Sequence, residues 1–153
     1  MSQITPCLWL DDRIDEAIKF YTETFKSAKV HQVVRQAPDQ PAFSAIIELE
    51  GSRFMLLSGN PNVQFTQTVS FMIECKDQKD VDYFWDALST NGGKESVCGW
   101  CEDRFGLSWQ VTPKQIYDTV LGKDPVGAQR AVQAMMGMKK LIIADLQKAY
   151  DGN

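Results

Sequence analysis

The apolar positions of this chain change period early in the sequence, and the same change then comes a second time. Residues 4–10 form a short apolar run that predicts a strand. Asp12 predicts a helix start, because a carboxylate there accepts from the exposed backbone donors of a first turn. Ile14, Ala17, Ile18, Tyr21 and Phe25 then recur at helical spacing, which places them on one face that must pack on a sheet. Three strand patterns follow, at 29–36, 43–49 and 53–57. Pro38-Asp39 punctuates the first gap, and Glu50-Gly51-Ser52 makes the second a tight hairpin.

After the loop Gly59-Asn60-Pro61-Asn62 the pattern restarts. Residues 68–75 read as a strand, and Asp77 caps a helix whose Val81, Phe84, Trp85 and Leu88 share a face. Asp12 and Asp15 correspond to Asp77 and Asp80, while Ala17, Phe20 and Tyr21 correspond to Val81, Phe84 and Trp85, so the chain contains an internal repeat. Gly92-Gly93 closes the second helix, one or two short strands fall within 94–101, and the last strand is 107–112. Each half is a strand, a helix and two or three further strands, an α+β arrangement with the helices on one side of a mostly antiparallel sheet. Beyond Pro113 the pattern is helical, with segments expected up to Gly122, from Asp124-Pro125 to Gly137, and over 143–150. Val132, Met135, Met136, Met138, Leu141, Ile142 and Leu146 give this end enough apolar surface to cover the barrel or a second subunit. The expected organisation is a single domain over 1–153, with repeat one at 4–59, repeat two at 68–112 and a helical extension at 113–153.

Composition narrows the function classes. The 153 residues are 44% hydrophobic and 24% charged, with 16 basic against 20 acidic side chains and a formal charge of −4. That is a soluble globular composition without the basic footprint a phosphate backbone needs, so nucleic acid is not an expected partner. The N-terminal residues lack a cationic start and a long apolar run, and no segment reaches membrane-spanning length, so the expected location is the cytoplasm, with no membrane partner. Cys7, Cys75, Cys98 and Cys101 are then expected to remain thiols.

Residues 98–113 (CGWCEDRFGLSWQVTP) hold most of the candidate chemistry. The C-x-x-C spacing invites a redox or zinc reading, but it precedes a turn and a strand instead of opening a helix, and Cys7 and Cys75 form no second pair. One buried and one surface cysteine is the simpler expectation. A two-residue period aims Cys7 and Trp9, Met55 and Leu57, Ser70, Met72 and Glu74, and Ser108 and Gln110 at the concave sides of the sheets, a composition that suits a small-molecule pocket or a filled core. Glu74 is the lone carboxylate of an apolar strand; burial would make it a general base, but a residue near a strand end is more often exposed or paired with a cation, here Arg53 or Arg104. Trp100 and Trp109 offer indoles for an aromatic or quinone-like ligand or for the core. His31 is the one histidine, on a different strand from these, and reads as structural or exposed.

The repeated module, the Asp103-Arg104-Phe105-Gly106 turn and the closing SWQV strand resemble the vicinal oxygen chelate superfamily, which includes the glyoxalases and bleomycin-resistance proteins. ITPCLWLDDRIDEAIKFY, CGWCEDRFGLSWQVTP and AVQAMMGMKKLIIADLQKAY resemble its 3-demethylubiquinone-9 3-methyltransferase-like, or PhnB-like, branch. The resemblance implies a cupped pair of half-barrels and a homodimer. It also implies that metal ligands, where the superfamily has them, would fall on Thr5, Met55, Ser70 and Gln110. These are poor donors for zinc or iron, so no metal or other cofactor is expected. The expected function is binding of a small apolar or aromatic molecule, with Cys7, Trp9, Met55, Ser70, Met72, Trp100, Ser108 and Gln110 lining the site. The alternative is an enzyme, either the methyltransferase of the family name or a metal-assisted glyoxalase or dioxygenase type, with Glu74 as the candidate catalytic group. The common methyltransferase fold places a glycine-rich turn after its first strand, whereas this chain has Asp11-Asp12 there.

Overall fold

Alternation and helical periodicity resolve into two units in the computed structural model, which describes residues 2–153: one runs to Gln64, the other is Phe65–Asn153. In the first, β1 (Cys7–Trp9), α1 (Ile14–Thr24), β2 (Lys29–Val34), β3 (Ser44–Leu49) and β4 (Ser52–Leu57) form a sheet of order β1-β4-β3-β2. β1 runs parallel to β4 and the other pairs are antiparallel. Glu50 and Gly51 both have positive φ (46° and 84°), the geometry of a two-residue hairpin loop, and Leu49 pairs with Ser52 across it.

Leu8, Leu56, Ala45 and Ile47 share the sheet face covered by α1, from which Ile14, Ala17, Phe20 and Tyr21 are buried. Burial of Ile14, Ile47 and Leu56 contributes about 1.5–3 kcal/mol for each side chain. Phe20 takes the place expected of Ile18, which is only half-buried. The Asp12 cap is also corrected. Asp11 turns at φ 53°, the cap position falls on Arg13, and no side chain caps the helix; Arg13 pairs instead with Glu16 at 2.8 Å.

The second unit repeats the topology. β5 (Ser70–Cys75), α2 (Gln78–Ser89), β6 (Lys94–Glu95), β7 (Trp100–Glu102) and β8 (Ser108–Pro113) give a sheet of order β5-β8-β7-β6, the same order as in the first unit, with β5 parallel to β8. Here the cap forms as expected: the Asp77 carboxylate accepts from Asp80 N at 3.0 Å. α2 packs on β5, β7 and β8 through Val81, Trp85 and Leu88, against Cys75, Cys101, Trp109 and Val111, and Phe84 is only half-buried.

Strand β7 returns to β8 through a turn built on one carboxylate. Asp103 is 2% exposed. Its Oδ1 accepts from Phe105 N at 2.9 Å and Leu107 N at 3.1 Å, and its Oδ2 accepts from Trp109 Nε1 at 2.9 Å. Gly106, at φ 81°, closes the turn; a Cβ there would meet nothing within 4 Å, so glycine serves the backbone conformation and not the space.

Past β8 the expected helix up to Gly122 is only a 3-10 turn, Lys114–Tyr117, after which Thr119 N and Oγ1 both donate to the Gln115 carbonyl and Gly122 N turns back to Thr119 O. α3 (Pro125–Met136) and α4 (Ile143–Asp151) then pair, burying Ala131 and Leu146. Asp124 caps α3 through Val126 N and Gly127 N, and the Arg130 guanidinium takes the end carbonyls of Ala149 and Tyr150 on α4. Among the described residues no helix is long and apolar enough to cross a membrane.

Hydrogen bonds, from an arginine or lysine first in each case, hold surface carboxylates below their ordinary pKa. Arg35 and then Ala42 N act on Asp15, Lys29 and His31 on Glu48, Lys140 and Gln78 on Asp82, and Lys139 and Trp85 on Glu95. A folded pKa below the unfolded one stabilises above the unfolded value and is lost as pH falls through the folded one.

Replacing Asp77 by Ala is expected to cost about 1 kcal/mol, and Asp12 by Ala close to nothing, in urea unfolding followed by circular dichroism. Equal losses would contradict the difference between the two helix starts. Asp103→Asn and Trp109→Phe are each expected to cost about 1.5–3 kcal/mol, and the double variant less than their sum, because both break one charged hydrogen bond. Additive losses would remove that coupling. The urea midpoint should fall between pH 5 and pH 3, through the ordinary carboxylate range of about 4, and fall less in high salt, which screens exposed pairs. A midpoint independent of pH over that interval would mean these pairs do not contribute.

Candidate ligand-binding site

Each sheet has one face covered by its helix and one face turned away from it, and the sequence-predicted residues lie on the latter. In the first unit Cys7 pairs with Met55 and Trp9 with Leu57, so these four share the face opposite α1. Ile46 continues the row from Met55, and Trp9 is 46% exposed, lying against the backbone of Gly59, where a Cβ would come within 2.8 Å of its ring. Thr5 is exposed and precedes β1. His31 lies at a break in the β2–β3 register, and its Nε2 is 3.1 Å from Glu48, whose other oxygen accepts from Lys29 at 3.0 Å. It is exposed, in agreement with its expected surface role.

In the second unit Met72, Gln110 and Trp100 form one cross-strand row, and Ser70, Ser108 and Glu102 form the next. Gln110 Nε2 donates to Ser70 Oγ at 2.9 Å, tying the rows together. Met72 is 52% exposed, Trp100 and Gln110 are half-buried, and Ser108 is 1% exposed with no hydrogen-bond partner for its hydroxyl. Trp109 is on the opposite face, in the core, with its ring 5.8 Å from that of Phe71. Glu74 is exposed, so the burial that would make it a base is missing. Its carboxylate accepts from the Tyr117 hydroxyl, which pushes the Tyr117 pKa up, so its partner is a phenol and not the expected arginine.

The four cysteines are free. Burial, then the charges of Asp80 and Asp77, pushes the Cys75 thiol up to about 12, and burial with Asp103 and Glu102 does the same for Cys101. Both are therefore protonated and unreactive at neutral pH. Cys98 is half-exposed and Cys7 exposed, so the C-x-x-C pair is one surface and one buried thiol, as expected.

The sequence reading missed Asp103, Tyr117 and Gln78 as organising residues. Asp103 carried a signal, an Asp three residues before a Gly, which is the composition of a side-chain-closed turn. Tyr117 and Gln78 act through contacts distant in sequence and carried none.

The positions where the superfamily would place a metal hold Thr5, Met55, Ser70 and Gln110. Hydroxyl, thioether and amide groups do not suit zinc or iron. Among the described residues no group of three or more His, Cys, Asp or Glu side chains is placed to hold a metal ion.

Among solved structures, the chain is similar to a PhnB protein from Bacillus cereus described as a putative 3-demethylubiquinone-9 3-methyltransferase. The two share 25% identity with a TM-score of 0.67, over 73% of this chain and 99% of that one. A Pseudomonas aeruginosa protein matches at 17% identity and TM-score 0.62, over 74% and 98% of the two chains. The fosfomycin resistance protein FosX of Listeria monocytogenes, solved with Mn(II) and sulfate, matches in fold at 12% identity and TM-score 0.51, over 71% and 88%. Among curated proteins, none matches the chain. The family model described as 3-demethylubiquinone-9 3-methyltransferase matches residues 2–112. With that match and two sheets of one repeated order, the chain belongs to the 3-demethylubiquinone-9 3-methyltransferase family, a PhnB-like branch of the vicinal oxygen chelate fold.

Proposed function

We propose that this protein binds a small apolar or aromatic molecule on the open faces of its sheets, without a metal of the superfamily type. The observation that carries the reading is the Gln110–Ser70 hydrogen bond, set between Met72 and Trp100 in register. It satisfies two polar groups that a metal-dependent relative would devote to an ion, and leaves around them a thioether and an indole, surfaces that suit a flat apolar ligand. In the first unit Cys7, Trp9, Met55 and Leu57 offer a surface of the same kind. The reading takes the chain as one domain of two repeats with a helical extension. It also takes the protein as a cytoplasmic homodimer, supported by exposed Leu121, Val126 and Met136 at the C-terminal end.

An enzyme is the second reading, favoured by the family description and by the Glu74–Tyr117 contact, which puts two titratable groups together beside the same face. Methyl transfer from S-adenosylmethionine in the common doubly wound fold relies on a parallel sheet and a glycine-rich turn, and neither sheet order here provides them. Saturable binding of S-adenosylmethionine would favour this second reading over the first.

1,4-Naphthoquinone is expected to quench the tryptophan fluorescence saturably, equally with and without EDTA. Trp100→Phe should weaken binding by up to about tenfold, the value of an aromatic stacking contact. Quenching abolished by EDTA, or no saturable response to naphthoquinone and neutral aromatic analogues, would overturn the proposal.

A further inference from the structure

Beside the open face of the second sheet lies a groove of about 290 Å³ lined by Gln67, Ser96, Val97, Cys98 and Trp100. It is continuous with that face through Trp100, whose register partner is Gln110, and through Gln67, whose amide donates to Glu102 at 3.3 Å. The lining has no Asp, Glu, Lys, Arg or His side chain, and the volume is near the lower limit of small-molecule sites. The groove suits a neutral, planar molecule of one or two rings.

The far wall of this groove is a tight turn. Trp100 N donates to Val97 O and Ser96 N to Trp100 O, while Cys98 and Gly99 both lie in the left-handed region, at φ 57° and 81°. A non-glycine residue there is held by its surroundings. Here they are the connection between α3 and α4: Cys98 N donates to Met138 O and Gly99 N to Lys139 O, each at 2.8 Å. Leu141 fills the space behind, so that a Cβ on Gly99 would meet its side chain at 3.0 Å and Val111 O at 2.9 Å.

The connection is in turn fastened to α2. Gln78 Nε2 donates to Leu141 O at 3.1 Å, and its Oε1 accepts from Ile143 N at 2.9 Å. Lys140 pairs with Asp82 at 2.9 Å and Lys139 with Glu95 at 3.1 Å. All of these strap residues lie beyond the region matched by the family model, which ends at residue 112.

We infer that the segment 138–141 is a strap, clamped by Gln78, that sets the wall of the ligand groove, and that Gln78 is a positioning residue for a neutral planar aromatic ligand resting on Trp100. The C-terminal extension thereby adds a specificity element to the family fold. The inference rests on the ligand-binding reading above.

The test is Gln78→Ala in the full chain, read by amide exchange at Cys98 and Gly99 and by naphthoquinone affinity, with Arg130→Ala as a control that loosens the α3–α4 pair elsewhere. The expected result is exchange at both amides faster by about tenfold or more and affinity weaker by about tenfold, from the loss of the two strap hydrogen bonds; the Gln78 bond to Asp82 is lost as well. Arg130→Ala should leave affinity unchanged. Gly99→Ala, which pushes against Leu141, should weaken affinity in the same direction. Faster exchange with unchanged affinity would reduce the strap to a structural tie and overturn the proposal, as would unchanged exchange. Absence of saturable quenching in the unsubstituted protein would locate the failure in the ligand-binding reading, and the inference would fall with it.

Discussion

The Asp103 carboxylate takes two backbone N–H groups of its own turn and the indole N–H of Trp109, and the second sheet takes its shape around those bonds. Buried in a place that water does not reach, a carboxylate is costly unless its oxygens find donors, and here each of them does. The turn fixes where β8 begins. The indole bond fixes which face Trp109 occupies, and by alternation that sends Ser108 and Gln110 to the other face. Sidedness in β8 therefore follows from one acid, and the open face inherits its residues from that choice.

The two repeats share a strand order and differ in how their helices start. Asp77 caps α2 directly, while the turn at Asp11 leaves α1 to start at Arg13 without a side-chain cap, and Asp15 in its first turn pairs with Arg35 and accepts from Ala42 N. Divergence of the same kind is visible on the open faces. The positions at which the superfamily resemblance would put a metal are Thr5, Met55, Ser70 and Gln110, and two of these residues hydrogen-bond to each other. On the same face the buried Ser108 hydroxyl has no hydrogen-bond partner among the described residues, and Met72 and Trp100 supply the apolar atoms.

Periodicity was enough to read the repeat, the hairpin at Glu50-Gly51, the Asp77 cap and the grouping of Met72 with Gln110, because each depends on neighbours close in sequence or on simple alternation. The missed Asp12 cap turns on one positive φ at Asp11, which a non-glycine residue does not announce. The helix expected before Gly122 is a single 3-10 turn, Lys114–Tyr117, a difference that no local pattern announces. Gln78 was invisible for a different reason. Its two strap contacts are 63 and 65 residues away, and no local pattern marks a residue whose partners are so distant. Glu74 was legible as a carboxylate exposed near a strand end, but its Tyr117 partner, 43 residues away, was not.

Metal content separates this account from its rivals most directly. Protein purified without a histidine tag and without chelator should contain zinc, iron, manganese and nickel far below one equivalent per chain, since uncharged hydroxyl, thioether and carboxamide groups are poor ligands for these ions. A full equivalent of any one of them, retained through dialysis, would contradict the account and return Thr5, Met55, Ser70 and Gln110 to consideration as part of a metal centre.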